Sequence, residues 1–138
     1  MISTLVDSNV ILDFVNEEAT WSNWSEMALS KSGDDGELLI NPIVYAEATI
    51  MFADRESFDK LIPANRFVRQ PLPYEAAFLA GKLHLQYLRA GGQRVRTLPD
   101  FFIGAHALVQ GLRLLTRDAR RYRTYFPELA IIAPDTHP

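Results

Sequence analysis

The sequence predicts an α/β fold in which a mostly parallel sheet is covered on both faces by helices. Three observations carry this expectation. Short β-branched or leucine-rich runs recur along the chain, and segments with helical capping signals separate them. Expected strands and helices alternate along the chain, which implies strands that run mostly parallel with helices on both faces. Finally, 138 residues with 48% apolar side chains suit one hydrophobic core, so residues 1–138 are read as a single domain.

Ile2 to Val6 is the first expected strand, stopping at Asp7. Asp7-Ser8-Asn9 opens a helix whose apolar positions are Val10, Ile11, Phe14 and Val15. A second helix is expected from about Trp21 to Lys31, ending in the turn-rich Ser32-Gly33-Asp34-Asp35-Gly36. Leu38 to Ile40 reads as a strand. Asn41-Pro42 then supplies an N-cap and a first-turn proline for a helix reaching about Phe52. A short helix near Arg55–Leu61 and a strand at about Phe67–Arg69 follow. Pro73 opens a long helix to about Arg89, closed by Gly91-Gly92. Thr97-Leu98-Pro99-Asp100 starts another, with Phe101, Ala105, Leu108, Val109 and Leu112 as its stripe. Leu114-Leu115-Thr116 and Ala130-Ile131-Ile132 are the last strands, flanking a short arginine-rich helix after Asp118. No repeat, low-complexity tract or linker interrupts the series.

Composition narrows the chemistry. The absence of cysteine excludes disulfides, thiolate catalysis and cysteine-type zinc sites. No apolar run approaches the ~18 residues that a bilayer span requires, and no signal peptide is evident, which favours a cytoplasmic location and no membrane partner. The net charge of −3 argues against a generally basic nucleic-acid binder. Its distribution is uneven: residues 1–88 hold 13 acids and 6 bases, whereas residues 89–138 hold 4 acids and 8 bases. Those eight are Arg89, Arg94, Arg96, Arg113, Arg117, Arg120, Arg121 and Arg123. Arginine suits phosphate because its planar fork donates two parallel hydrogen bonds, although such a set also describes a solvated basic face.

Four carboxylates fall where chemistry is expected on a parallel sheet. Asp7 follows the first strand, at the sheet edge where ligands bind; it equally suits an N-cap. Glu47 shares a helix face with Ile43, Ile50 and Met51, an apolar stripe in which burial without a partner or a metal is costly. A rim position with its carboxylate in water is the alternative. Asp100 completes the capping-box pattern Thr97-x-x-Asp100, and Asp118 sits between a strand and a short helix, so both also fit caps. If the strands are parallel, all four acids project toward one edge. Carboxylates so gathered raise one another's pKa values, and a hard cation such as Mg²⁺ or Mn²⁺ relieves the conflict. One or two such ions can polarise a phosphodiester and activate water.

At these positions the chain resembles a known family. Leu5-Val6-Asp7-Ser8-Asn9, Pro42-Ile43-Val44-Tyr45-Ala46-Glu47, and Pro99-Asp100-Phe101-Phe102-Ile103-Gly104-Ala105-His106-Ala107 are similar to successive motifs of PIN domains. Leu114-Leu115-Thr116-Arg117-Asp118, Arg121-Tyr122 and Tyr125-Phe126-Pro127 resemble the end of VapC-type toxins. The resemblance implies a three-layer α/β/α sandwich with a parallel sheet of about five strands. It implies a Mg²⁺- or Mn²⁺-dependent endoribonuclease acting as the toxin of a type II toxin–antitoxin pair, with a small antitoxin as partner and a homodimer as assembly. By position it makes Asp7, Glu47, Asp100 and Asp118 the catalytic and metal-binding quartet, supported by Asn9 and Thr116. Arg117, Arg120 and Arg121 are the candidates for holding the RNA backbone.

Other signals carry less. Asp13 reads as a solvated helix acid outside the site. His84, His106 and His137 form no metal-ligand cluster, and His106 is expected to serve packing or the surface. Trp21 and Trp24 share a helix face and suit base stacking, a core or an interaction surface. A haloacid-dehalogenase-type phosphatase would need an Asp where Asn9 stands, and a receiver would need a late Lys, yet the last is Lys82. A catalytically silent PIN-like module that binds RNA or protein is the remaining alternative.

Overall fold

The structure is a computed structural model, and residues 1–92 and 97–138 are described. Arg94 and Arg96 of the basic set lie outside the described residues. Five short strands form one sheet: β1 (Thr4–Val6), β2 (Leu38–Ile40), β3 (Phe67–Arg69), β4 (Arg113–Leu115) and β5 (Ile131–Ile132). Their spatial order is β3-β2-β1-β4-β5, and every pairing is parallel.

That order carries the functional consequence. The chain begins in the centre, builds outward through β2 and β3, then crosses back over β1 to add β4 and β5. Between β1 and β4 the direction of winding reverses, which opens a crevice at their carboxyl ends. Asp7 follows β1 and Thr116 follows β4, so both stand at this switch point.

Among the described residues seven helices connect the strands: α1 (Ser8–Val15), α2 (Ser22–Asp35), α3 (Pro42–Thr49), α4 (Arg55–Leu61), α5 (Tyr74–Arg89), α6 (Leu98–Val109) and α7 (Arg120–Tyr125). Right-handed crossovers put α1–α4 over one face and α5–α7 over the other. The packing agrees, with α1 against α2 and α3, and α6 against α5, α7, β1 and β4. Leu5, Val6, Leu39, Ile40, Leu114 and Leu115 are buried between these layers, as the central residues of a sheet covered on both faces are.

Several boundaries differ from expectation, each for a packing reason. α2 runs through Ser32-Gly33-Asp34-Asp35 instead of ending before it. Leu29 and Ser32 are buried, so the last turns of the helix gain packing that their composition alone does not supply. Tertiary burial thus overrides poor local propensity. Gly36 is where the chain must turn: a Cβ there would lie 2.2 Å from the Ile2 carbonyl oxygen. Backbone cannot yield as a flexible side chain does, so Gly36→Ala is expected to cost about 2 kcal/mol or more, read as a lower midpoint in urea unfolding.

α3 stops at Thr49, short of Phe52. Phe52 turns inward to meet the Phe58 ring edge-on at 5.1 Å, and Asp54 caps α4 by accepting from the Ser57 amide. α6 is buried on more than the expected stripe, since Ile103, Gly104, His106 and Ala107 are enclosed along with Phe101 and Ala105. A helix pressed between a sheet and two neighbouring helices has little solvent face. His106 therefore belongs to the interior, not the surface.

Candidate functional site

Asp7 combines the two roles that the sequence left open. Its extended backbone (φ −72°, ψ 153°) caps α1, and Oδ1 accepts from the Ser8 amide at 2.7 Å. Its other oxygen, Oδ2, accepts from the Thr116 hydroxyl at 2.8 Å and from the Tyr122 phenol at 3.0 Å. The side chain is almost wholly buried. Burial, then the charge of Asp100, pushes its pKa up from 3.8 to about 6, against the lowering effect of the Thr116, Tyr122 and Ser8 hydrogen bonds.

Thr116 is the junction between β1 and β4. While donating to Asp7, its Oγ1 accepts from Asn9 Nδ2 at 3.3 Å and from the Asp118 amide at 3.2 Å. Asn9 also accepts from the Arg117 amide at 3.1 Å, which ties α1 to the segment after β4. Asp118 itself is exposed beside this junction, and its Oδ1 accepts from the Arg120 amide at 3.4 Å.

Glu47 reaches the same region by a route that its apolar stripe does not explain. Ile50 and Met51 are 79% and 74% exposed, because α3 ends before them; the stripe is a rim, not a core face. The half-buried carboxylate accepts from the Ser8 hydroxyl at 2.9 Å. Ser8 Oγ is also 3.4 Å from Asp7 Oδ1; with one proton to give, it serves Glu47 in the shorter bond. Burial raises the Glu47 pKa and the Ser8 bond offsets it, with the Asp100 charge adding to the rise.

The capping box expected at Asp100 does not form. Thr97 has helical backbone angles (φ −100°, ψ −33°) and makes no capping bond; its hydroxyl lies 3.3 Å from His84 Nδ1. Asp100 instead forms an ion pair with Arg121, whose guanidinium also lies over the Tyr87 ring at 5.7 Å. Burial lifts the Asp100 pKa, Arg121 draws it down by charge and hydrogen bond, and the charge of Asp118 lifts it again.

Three contributors escaped the sequence reading. Tyr122, buried between Asp7 and Asp100, has its phenol held well above its ordinary pKa by burial and then by the charges of Asp7 and Asp100, so it remains a donor. Its signal was slight: one large ring amid the arginines of 120–123. Ser8 joins two acids. Asp13, expected to be solvated, is buried; it accepts from Arg117 Nε at 2.7 Å and from Ser25 Oγ at 3.3 Å. Arg117 is thus largely committed to Asp13 and Arg121 to Asp100, which leaves Arg120 as the exposed member of the expected trio.

The helices bearing Glu47 and Asp100 are pinned together below the acids. Asn41 Oδ1 accepts from the Val44 amide at 2.9 Å to cap α3, and its Nδ2 lies 3.0 Å from Nδ1 of buried His106 on α6. An amide nitrogen only donates, so that imidazole nitrogen accepts; burial lowers the His106 pKa and keeps the ring neutral.

Asp7, Glu47, Asp100 and Asp118 thus share one crevice and one electrostatic neighbourhood. Among the described residues, however, no three acid or imidazole groups stand close enough to chelate one ion together. Arg121 supplies the positive charge at Asp100. The donor set still fits a hard cation, being carboxylate and hydroxyl oxygen with raised acid pKa values that a positive charge would relieve. A cavity of about 510 Å³ lined by Met1, Glu37, Asn65 and Arg66 lies before the strands begin, at the sheet edge opposite the acids. Among the described residues no helix is long and apolar enough to cross a membrane.

Comparison with known proteins agrees with this architecture. No curated protein matches the sequence. A chain in the crystal structure of VapBC2 from Rickettsia felis, bound to a DNA fragment from their promoter, superposes with a TM-score of 0.73 at 17% identity, covering 96% of this chain and 98% of that one. A chain of VapBC-1 from nontypeable Haemophilus influenzae gives 0.72 at 16% identity over 96% and 98%. One of a toxin–antitoxin complex from Klebsiella pneumoniae gives 0.70 at 20% over 95% and 97%. At such identities the likeness is one of fold. The sequence itself matches the PIN domain across residues 4–127, and the parallel sheet with its acid-lined switch point is the matching architecture, so the chain belongs to the PIN-domain family.

Proposed function

We propose that the protein is a Mg²⁺- or Mn²⁺-dependent endoribonuclease that serves as the toxin of a type II toxin–antitoxin pair. The observation that carries this reading is the convergence of Asp7, Glu47 and Asp100, with Asp118 beside them, at the switch point between β1 and β4, where burial and then the charge of Asp100 raise the pKa values of Asp7 and Glu47. Asp7, Asp100, Asp118 and Glu47 would hold the ion. When bound, such an ion polarises the scissile phosphodiester and lowers the pKa of an attacking water.

The chain's own residues then have separate tasks. Thr116 and Tyr122 hold one oxygen of Asp7, and Ser8 holds its other oxygen and orients Glu47. Asn9 fixes the segment carrying Asp118 through Thr116 and the Arg117 amide. Arg121 draws the Asp100 pKa down against its burial and yields to an incoming cation or phosphate. Arg120, with help from Arg117, holds the RNA backbone. The assigned partners are a small antitoxin and a second copy of the chain; the solved toxin–antitoxin complexes of like fold support the first.

A second reading, a catalytically silent module binding RNA or protein, is favoured by one observation: Arg121 already neutralises Asp100. Incubating the protein with a mixed RNA pool in Mg²⁺, Mn²⁺ or chelator separates the two. Metal-dependent cleavage that disappears in Asp7→Asn is expected. Cleavage surviving in that variant would displace the assigned site, and no cleavage of any RNA would select the silent module.

A further inference from the structure

We propose that the cleft between Trp21 and the arginines around α7 is a subsite for one unpaired base of single-stranded RNA, beside the acids. This rests on the nuclease reading above and assigns it a substrate class. The cleft encloses about 400 Å³ and is lined by Trp21, Arg117, Asp118, Arg120, Arg123 and Pro134, among others. It therefore runs directly into one of the four site acids. Its volume lies within the roughly 300–1,000 Å³ of small-ligand sites.

Trp21 has the geometry of a stacking platform. Trp24 is anchored, its indole N–H donating to the His137 carbonyl at 2.7 Å. Trp21 meets it edge to face, with rings 6.5 Å apart at 87°. Whichever ring supplies the edge, at least one face of Trp21 is not covered by Trp24, and the side chain is 40% exposed while lining the cleft. The open face of Trp21 is thus available within the cleft to another flat ring.

The charges lining the same cleft specify the ligand. Arg123 is held by both oxygens of Asp135 at 2.6 and 2.7 Å, and Arg117 by Asp13. Among the described residues Arg120 has no acidic partner, and it is exposed. An open apolar ring face and a free guanidinium lining one cleft suit a ligand that presents both a π surface and a phosphate. Bases within a duplex are stacked on each other and closed to the ring, so the ligand is single-stranded.

Anisotropy of fluorescein-labelled hexauridylate in chelator tests this without cleavage, with an abasic ribose-phosphate hexamer as control. Trp21→Ala is expected to weaken hexauridylate binding about tenfold, while Trp21→Phe stays within about threefold of the parent. Abasic binding and the salt dependence should not change in either variant. Arg120→Ala should weaken both probes and reduce the salt slope by about one. Unchanged hexauridylate binding in Trp21→Ala, equal loss in Trp21→Phe, or equal loss for the abasic probe would overturn the subsite. If the parent chain cleaves RNA while Trp21→Ala binds normally, only the subsite falls. If the parent binds and cleaves no RNA, the nuclease reading falls with it. Should Trp21→Ala lose a protein partner but keep its RNA affinity, the cleft is a protein interface and the proposal fails.

Discussion

Asp7→Asn is expected to abolish cleavage and yet make the folded chain more stable at neutral pH. The carboxyl binds its proton more tightly folded than unfolded, with a pKa of about 6 against 3.8. A raised acid pKa contributes stability that is fully present below about pH 4 and lost as pH rises through 6. Holding the ionised form at pH 7 therefore costs on the order of 3 kcal/mol. Near-complete burial means little solvent screening to discount. Asparagine removes the charge without emptying the network: its oxygen can accept from the Ser8 amide, and its amide can donate to the hydroxyls of Thr116 and Tyr122. Thermal unfolding in chelator should show the variant equal to the parent near pH 4 and several degrees more stable at pH 7.5. RNA cleavage with metal should fall more than about a hundredfold. A variant less stable than the parent at both pH values would mean that Asp7 is a structural cap whose ionised form the fold requires.

Phe101→Ala is expected to produce the largest loss of stability, about 3–5 kcal/mol. Its ring is fully buried and touches four aromatic neighbours: Tyr125 at 5.1 Å, His84 and Tyr87 each at 5.7 Å, and Phe126 at 6.2 Å. These residues belong to α5 and to α7 with its C-terminal end, so one ring joins α6 to both. Against a typical total of roughly 5–15 kcal/mol, the loss is a large fraction of what holds the domain together. Because Phe101 adjoins Asp100, and Tyr125 lies one turn from Arg121, the variant should also blur the Asp100–Arg121 pair. Urea unfolding measures the first effect, and Phe101→Leu should recover more than half of it. A loss below about 1 kcal/mol would show that the surrounding rings close over the space.

Strands and caps were readable because they are written locally. Each strand centres on adjacent apolar residues, and Asn41-Pro42 does start a helix with Asn41 as its cap. Glu47 was selected for a reason the structure removes. Spacing shows which residues share a face, but not where the helix stops or what covers it, and Ile50 and Met51 are left in water. Thr97 and Asp100 match a capping box in letters only, since Arg121 competes for the carboxylate from another helix. Asp13 looks like any helix acid until Arg117 reaches it across 104 positions of chain. Tyr122 lies 115 positions from the aspartate it serves, and no local pattern can state such a partnership.

The central position of β1 has a temporal consequence. Asp7 is made before the strand that flanks it on one side and before the hydroxyls that hold its carboxylate, which come from residues 113–122. A chain still growing on the ribosome, or one broken off before β4, has the first acid but neither the crevice wall nor Asp118. At about 5–20 residues per second, the delay between making Asp7 and making Tyr122 lasts several seconds or more. Under the proposed nuclease function, a growing chain that holds Asp7 without these partners would be inert toward RNA until residues 113–122 have emerged and folded.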